Sequence, residues 1–227
     1  MSDLVPAPLV HAAGPVTLAG GGPICADDLE ACLALSDKLV AADGGANRLL
    51  ELRQTPDAVI GDMDSLSADS AAMLQDVLYP VAEQDSTDFE KCLTRIAAPL
   101  VLAVGFTEGR VDHALAAFNG LVRHFGRRCV IVSRREVITL TPPELTLALT
   151  AGDRVSLFPL QRVTGTSRGL HWPIDGIEFT PGGVVGTSNR ADGAVSLTVD
   201  APGMVLFLPR RSLGPLLEGL TRAPHWN

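Results

Sequence analysis

Two carboxylates at alternate positions follow a short apolar run in the first half of the chain. Asp62 and Asp64 lie in Gly61-Asp62-Met63-Asp64-Ser65, directly after Ala58-Val59-Ile60. Such a run, closed by glycine, predicts a short buried strand, and side chains two apart on an extended segment point the same way. The pair could therefore converge on one cation at the carboxyl end of a strand, where open α/β sheets bind ligands. A hard divalent ion such as Mg²⁺ prefers carboxylate oxygens together with phosphate oxygens.

Comparable junctions recur in the first half of the chain, each with an Asp beside Gly, Lys or Arg. Asp43 and Gly44 follow an apolar run at 38–42, and Asp88 and Lys91 lie one turn apart at the start of a predicted helix. Taken singly, each junction could be a turn or a cap, and Asp88 with Lys91 could be a solvent-exposed ion pair. The functional alternative is that Asp88 faces the metal cluster while Lys91 neutralises phosphate charge.

Three further patterns belong to the same half of the chain. Arg110 and Asp112 begin the next predicted helix, and Arg is the residue best suited to bidentate contact with phosphate. Thr87 and Glu90 have the spacing of a capping box at the helix that carries Lys91. Gly20-Gly21-Gly22 follows the first predicted strand, and it either brings backbone N–H groups to a phosphate or forms a plain turn.

The elements that must position these residues fall into two halves with different patterns. Up to residue 134, apolar runs alternate with helical periodicity, which predicts an α/β fold with a mostly parallel sheet and helices on both faces. From residue 135 onward, short runs separated by Gly, Pro and Asp turns predict a small all-β sandwich domain. The predicted strands of the first half are 16–19, 38–42, 57–61, 77–81, 100–105 and 128–133. The predicted helices are 26–35, 46–53, 67–76, 87–97 and 111–125. The predicted strands of the second half are 136–141, 144–149, 153–158, 161–167, 194–199 and 203–208.

The composition argues against several other classes of protein. A net charge of −8 argues against gripping nucleic acid through a basic surface, and an aromatic content of 4% argues against a stacking platform for single strands. No apolar stretch approaches the roughly 20 residues of a membrane span, and residues 1–15 lack the pattern of a signal peptide. The four scattered cysteines predict a reduced protein in the cytoplasm.

Taken together, these motifs resemble the thiamine pyrophosphokinase family over nearly the whole chain. The segments that carry the resemblance are Ala42-Asp43-Gly44-Gly45-Ala46-Asn47, Gly61-Asp62-Met63-Asp64-Ser65, Asp85-Ser86-Thr87-Asp88-Phe89-Glu90-Lys91, Gly109-Arg110-Val111-Asp112-His113, Gly169-Leu170-His171-Trp172-Pro173 and Gly186-Thr187-Ser188-Asn189. The resemblance implies transfer of a diphosphoryl group from ATP to thiamine, giving thiamine diphosphate and AMP. It also implies an ATP-binding catalytic domain at 1–134, a thiamine-binding β-sandwich at 135–227, and a homodimer with thiamine between the subunits.

The resemblance further implies roles for individual residues. The positions that match the family's acidic Mg²⁺ and ATP site are Asp43, Asp62, Asp64, Asp88 and Asp112, and the first four of these are the expected metal ligands. Lys91 and Arg110 match its phosphate-contacting positions. The positions expected to bind nucleotide or thiamine are Gly44, Asn47, Trp172, Ser188 and Asn189. A Trp face attracts a cation such as thiazolium by roughly 0.5–2 kcal/mol.

Two positions depart from the family pattern, and one role has two candidates. Glu108 takes the place of a glycine that often precedes the Arg-x-Asp-His segment, and His171 stands where relatives often have lysine. In the implied reaction the thiamine hydroxyl attacks the β-phosphorus of ATP. Asp88 and Asp112 are both candidates for the general base that accepts the hydroxyl proton.

Two other functions stay open at this stage. A Mg²⁺-dependent phosphohydrolase also uses Asp-x-Asp at a strand end, but it would need neither Lys91 nor Arg110. A regulatory module for nucleotide or thiamine would bind tightly without turnover. Phosphate release that requires an acceptor alcohol would distinguish a transferase from both.

Overall fold

The structure is a computed structural model that describes residues 6–226. These residues form two compact units. The first comprises the chain up to Gly120 together with Arg127–Ser133, and the second comprises Leu121–Gly126 together with the chain from Arg134 onward. Among the described residues, no helix combines the length and apolar character needed to cross a membrane.

The first unit is built around a parallel sheet. Its strands, in chain order, are β1 (Val10–His11), β2 (Val16–Ala19), β3 (Lys38–Ala42), β4 (Ala58–Gly61), β5 (Leu78–Pro80), β6 (Ile96–Ala97), β7 (Val101–Val104) and β8 (Cys129–Val132). The sheet order is β5-β4-β3-β2-β7-β8, with every adjacent pair parallel, and β1 pairs with β6 separately. The strand order reverses beside β2, where β3 lies on one side and β7 on the other. In open α/β sheets this is the point at which ligands bind.

Helices connect the parallel strands of the first unit. They are α1 (Ala26–Leu33), α2 (Gly45–Glu51), α3 (Ala68–Met73), α4 (Asp88–Arg95) and α5 (Val111–Arg123). Every residue of β2, β4, β7 and β8 is buried, which is expected when helices cover both faces of a parallel sheet. The predicted α/β class is confirmed. The structural helices end two or three residues before the predicted ends, and residues 96–97, predicted as the end of the fourth helix, form β6.

The second unit is antiparallel. It contains β9 (Glu136–Leu140), β10 (Glu144–Leu147), β11 (Arg154–Pro159), β12 (Val163–Leu170), β13 (Glu178–Phe179), β14 (Gly186–Val199), β15 (Met204–Pro209) and α6 (Leu213–Arg222). Strand β14 pairs with β11 through its first part and with β10 and β12 through its last part. One long strand therefore serves both layers of the predicted sandwich, as strands that switch sheets do.

One prediction for the second half is wrong, and one helix was missed. The predicted strand 194–199 begins at Gly186, because Asp192-Gly193 continues the strand with Gly193 at φ 147° instead of forming a turn. Helix α6 was not predicted, since Gly214, Pro215 and Gly219 interrupt its helical pattern. Pro215 is tolerated because it lies in the first turn, where its missing N–H has no intrahelical partner.

Candidate active site

Three carboxylates from two neighbouring strand ends converge. Asp43 follows β3 and Asp62 follows β4, and these strands are parallel partners, so both residues reach the same edge of the sheet. Together with Asp64, each offers one oxygen, and the three oxygens lie within 4.8 Å of one another. This spacing matches oxygen ligands around one divalent cation.

The backbone holds Asp43 in an unusual conformation that directs its carboxylate. Its φ is 43°, in the left-handed region, and its amide N donates to Ile60 O at 3.0 Å. Oδ2 accepts a hydrogen bond from Ser65 N at 3.1 Å. Gly61 is required beside it, because a Cβ there would lie 2.6 Å from the Cβ of Asp43.

The second carboxylate oxygen of Asp43 is an orphaned acceptor. Oδ1 is buried and has no hydrogen-bond partner among residues 6–226, and Asp43 is only 2% exposed. Burial raises the pKa of Asp43, and the nearby charges of Asp88 and Asp62 act in the same direction. A buried acceptor without a donor is costly, so this oxygen is suited to a bound cation.

A buried lysine joins this edge to α4. Lys91 Nζ donates to Asp62 Oδ2 at 2.8 Å and to Asp88 Oδ1 at 3.1 Å, while its side chain is 2% exposed. The alternative of a solvent-exposed Asp88–Lys91 pair is therefore wrong. Burial alone would lower the pKa of Lys91, but the hydrogen bonds that it donates to Asp62 and Asp88, with the negative charges of both, outweigh burial and raise the pKa.

The two carboxylates bound by Lys91 have pKa values shifted in opposite directions. Its hydrogen bond, with smaller contributions from Asp64 N and Gln84 Nε2, lowers the pKa of Asp62 to about 2. Asp88 has a raised pKa, chiefly because of burial, with Asp62 and Asp64 adding repulsion. Asp88 lies outside the group of three converging carboxylates and meets the cluster through Lys91.

The start of α4 is fixed by the predicted capping box. Thr87 Oγ1 accepts from Glu90 N at 3.3 Å, and Glu90 Oε2 accepts from Thr87 N at 3.1 Å. Because Asp88 and Lys91 lie in the first turn, this cap sets the direction of both side chains. Gln84, which sequence reasoning missed, donates to Asp62 Oδ2 at 3.1 Å from the segment before the cap.

Arg110 and Asp112 bond each other at the start of α5. Arg110 Nε donates to Asp112 Oδ1 at 3.1 Å and Nη2 donates to Oδ2 at 2.6 Å, in a bidentate pair with both side chains more than half exposed. The bond to Arg110 lowers the pKa of Asp112. The pair is exposed, in contrast to the buried Lys91.

Two backbone amides of the glycine-rich segment after β2 donate hydrogen bonds to carbonyl groups of the protein. Gly20 N donates to Val104 O at 2.8 Å, and Gly22 N donates to Gly105 O at 3.1 Å. These bonds tie the segment to the end of β7. For Gly20 and Gly22 the plain-turn alternative is therefore favoured over a phosphate loop.

Gly44 and Asn47, both expected to bind nucleotide, contact the segment after β4. Gly44 lies against Ser65, since a Cβ at Gly44 would be 3.0 Å from the Cβ of Ser65. Asn47 Nδ2 donates to Ser65 O at 2.8 Å, and Asn47 Oδ1 accepts from Ser67 N at 3.1 Å. Ser65 thus contacts both residues.

In the second unit, Trp172 is held by its main chain and exposes its ring. Asn189 Oδ1 accepts from Trp172 N at 3.2 Å, and Asn189 Nδ2 donates to Trp172 O at 2.7 Å. Trp172 is 57% exposed, so it does not lie in the core, where a Trp of a β-sandwich is usually found. Ser188 has φ 62°, and its N donates to Ser156 Oγ at 3.0 Å.

Arg190 and His171 contact the exposed ring. Arg190, which the sequence did not single out, lies with its guanidinium carbon 5.9 Å from the centre of Trp172. His171 meets the same ring edge-on at 4.6 Å between centroids, and its Nδ1 lies 3.3 Å from Asp192 Oδ2. Arg190 could have been suspected from its position next to Asn189 on the same strand.

The fold and the site define the class of protein: an α/β enzyme with an acidic, lysine-supported site at the carboxyl edge of a parallel sheet, followed by an antiparallel β unit. Residues 29–132 match the family model "Thiamin pyrophosphokinase, catalytic domain", and residues 139–204 match "Thiamin pyrophosphokinase, vitamin B1 binding domain". The chain belongs to the thiamin pyrophosphokinase family, as the sequence motifs predicted.

Individual relatives agree with this assignment. The chain is 28% identical over 203 residues to thiamine pyrophosphokinase 2 of Arabidopsis thaliana, covering 74% of this chain and 76% of the relative. The crystal structure of thiamin pyrophosphokinase from Geobacillus thermodenitrificans is similar at a TM-score of 0.70 and 26% identity, covering 86% of this chain and 96% of the other. Yeast thiamin pyrophosphokinase has the same fold, at a TM-score of 0.74 and 19% identity, covering 94% and 95%.

Proposed function

We propose that this chain is a thiamine diphosphokinase that transfers a diphosphoryl group from ATP to thiamine. The hydroxyl oxygen of thiamine forms a bond to the β-phosphorus, the bond from that phosphorus to the α,β-bridging oxygen breaks, and AMP leaves. Thiamine diphosphate carries the former β- and γ-phosphates. The observation that carries the proposal is the Asp43, Asp62 and Asp64 cluster with Lys91 buried beside it, in a chain of this family.

The three converging carboxylates fit a divalent cation. They supply hard oxygen ligands. The buried Oδ1 of Asp43 accepts no hydrogen bond from the described residues, and a cation would take the place of the missing donor. We assign the ion as Mg²⁺, held by Asp43, Asp62 and Asp64, with Asp88 acting beside them through Lys91. When bound, the ion would neutralise charge on the phosphate oxygens.

The chain's own groups position the reactants and move the proton. Lys91 uses two of its three N–H bonds on Asp62 and Asp88, so the third is left to donate to a phosphate oxygen. Arg110 presents an exposed guanidinium for the same purpose. Between the two candidates for the general base, Asp88 is favoured, because its pKa is raised whereas Arg110 lowers the pKa of Asp112.

We assign the two halves of the chain to the two substrates. Residues 1–134 would bind ATP, and residues 135–227 would bind thiamine through Trp172, Ser188 and Asn189. The exposed face of Trp172 offers the π-surface that a thiazolium cation prefers, and Asn189 fixes the main chain that carries it. A homodimer is the proposed assembly. The cytoplasm is the proposed location, supported by the absence of a disulfide among the described cysteines.

Product analysis tests this function. Purified chain is incubated with ATP and Mg²⁺, with and without thiamine, and nucleotides and thiamine esters are separated by chromatography. We expect AMP and thiamine diphosphate in equal amounts, and neither product without thiamine. ADP or free phosphate formed without thiamine would support a phosphohydrolase, and tight binding of ATP and thiamine without turnover would support a regulatory module.

A further inference from the structure

We propose that Asn47 is a positioning residue for the metal-binding segment, and that it does not act as a ligand of the nucleotide. The segment is the metal loop, residues 62–67, between β4 and α3. Asn47 Nδ2 donates to Ser65 O at 2.8 Å, and Asn47 Oδ1 accepts from Ser67 N at 3.1 Å. Both heteroatoms of one side chain on α2 are thus engaged by the backbone of this loop.

The chemistry of the two partners fixes the orientation of the amide. A carbonyl oxygen needs a donor and a backbone N–H needs an acceptor, so only one assignment of Nδ2 and Oδ1 satisfies both. The Asn47 side chain is also neutral. It can therefore hold the loop without adding negative charge beside the Asp43, Asp62 and Asp64 carboxylates.

The bonds of Asn47 reach the carboxylates through Ser65. The amide N of Ser65 donates to Asp43 Oδ2 at 3.1 Å, and its Oγ donates to Asp64 Oδ1 at 2.9 Å. With its carbonyl bound to Asn47, one serine connects α2, the end of β3 and the metal loop. Ser67 extends the same arrangement, because its Oγ accepts from Ser70 N and so caps α3.

The loop has a reason to need such support. Met63 adopts φ 69°, in the left-handed region that a non-glycine residue occupies only when its surroundings enforce it. Before a cation binds, the Asp43, Asp62 and Asp64 oxygens lie within 4.8 Å of one another and their negative charges repel. Fixing the backbone at Ser65 and Ser67 keeps the carboxylates together despite that repulsion.

This inference rests on the proposed function, because it takes the carboxylate cluster to be a metal site. If Asn47 positions the ligands, its loss weakens binding of the metal itself. Partners outside the coordination shell typically contribute about 10–100-fold to metal affinity. If Asn47 instead contacts nucleotide, its loss raises the KM for ATP and leaves binding of the metal alone unchanged.

The test compares Asn47→Ala, Asn47→Asp and a control in the full chain. Asp57→Ala is the matched control: it removes a bond of 2.7 Å between Asp57 Oδ2 and Leu39 N, at the amino ends of β3 and β4 and away from the site. Binding of Mn²⁺ alone is measured by electron paramagnetic resonance. Hydrogen exchange of a peptide covering 62–67 is measured in metal-free protein.

We expect Asn47→Ala to speed exchange of the 62–67 peptide and to weaken Mn²⁺ binding about tenfold or more. Asp57→Ala should change neither. Asn47→Asp keeps the acceptor for Ser67 N but sets an oxygen against Ser65 O, so it should also weaken Mn²⁺ binding. Tighter Mn²⁺ binding by Asn47→Asp, or unchanged loop exchange and Mn²⁺ affinity in Asn47→Ala, would overturn the inference. A wild-type chain that binds Mn²⁺ yet forms no thiamine diphosphate would refute the proposed function and leave this inference standing.

Discussion

Lys91 Nζ lies 2.8 Å from Asp62 Oδ2, although the two residues are 29 positions apart in the chain. Asp62 follows β4 and Lys91 lies in the first turn of α4, so the bond joins the metal loop to the helix. The same ammonium bonds Asp88 at 3.1 Å. One buried cation therefore keeps Asp62 ionised and links it to the proposed base.

Replacing Lys91 by Met removes this link while keeping most of the side-chain volume. We expect unfolding to become easier by about 2–3 kcal/mol, between the values for exposed and fully buried ion pairs, because Asp62 keeps its bonds to Gln84 and Asp64 N. Turnover should fall more than stability alone explains, since the proposed contact of Lys91 with phosphate is also lost. Urea unfolding and steady-state kinetics on the same preparation separate the two effects; wild-type kcat in the variant would contradict the role of Lys91.

The depressed pKa of Asp62 predicts a specific acid sensitivity. The pKa of its carboxyl is about 2 in the folded chain against about 3.9 when unfolded. Its contribution to the free energy of unfolding is therefore fully present above about pH 4 and is lost as the pH falls toward 2. Asp43 and Asp88, whose pKa values are raised, act in the opposite direction. The difference in unfolding free energy between wild type and Asp62→Asn isolates the contribution of the Asp62 carboxylate. It should shrink from pH 5 to pH 3, and a difference that grows on acidification would contradict the ion pair.

Neutralising either carboxylate of the Asp-x-Asp motif should reduce turnover strongly while the fold stays intact. Asp62→Asn and Asp64→Asn each remove a charged ligand, and we expect turnover to fall on the order of 100-fold or more. Asp69→Asn, an exposed acidic residue in the first turn of α3, is the matched control and should keep wild-type turnover. Circular dichroism checks the fold, and near-normal turnover by either site variant would contradict the metal assignment.

Trp172 should matter for thiamine and not for ATP. We expect Trp172→Ala to raise the KM for thiamine about 5–30-fold, the equivalent of about 1–2 kcal/mol of cation–π attraction, and Trp172→Phe to raise it less. The KM for ATP should stay unchanged in both variants. Equal increases in both KM values would instead indicate a general disturbance of the β unit.

Gly45 tests how closely α2 approaches the sheet. An added Cβ at Gly45 would lie 2.2 Å from Ala19 O, a backbone atom of β2 that cannot move aside cheaply. Gly45→Ala should therefore destabilise the chain by about 3 kcal/mol or more, or prevent folding. The control is Gly126→Ala, where nothing lies within 4 Å of the added Cβ, and whose melting temperature should not fall. A wild-type melting temperature for Gly45→Ala would contradict this packing.

The sequence predicted the parallel sheet well because its strands are short, apolar and closed by glycine or aspartate. It predicted β2 and β3 with their observed bounds, since every residue of the two strands except Lys38 is buried and a short apolar run marks each of them. It failed where local signals conflict with tertiary pairing. Asp192-Gly193 has the composition of a turn, but β14 continues through it, between its pairing with β11, which ends at Arg190, and its pairing with β10, which begins at Val195.

The site was predictable in its carboxylates but not in the partners that support them. The spacing of Asp62 and Asp64 marked them as a pair, but they follow β4 in a loop with Met63 at φ 69°, so this loop, and not an extended strand, brings their carboxylates together. The contact of Lys91 with Asp62, and those of Asn47 with Ser65 and Ser67, join separate elements and depend on how α4 and α2 pack. Spacing also could not tell that Arg110 and Asp112 pair with each other in an exposed position.

The most direct test of the central claim follows labelled phosphates through one turnover. ATP labelled with ³²P at the α- or the γ-position is mixed with excess enzyme, Mg²⁺ and thiamine, using wild type and Asp64→Asn. Diphosphoryl transfer at the carboxylate cluster predicts α-label in AMP and γ-label in thiamine diphosphate for wild type, with transfer slowed strongly in Asp64→Asn. Label released as inorganic phosphate, α-label recovered in ADP, or equal transfer rates in the two proteins would contradict the account.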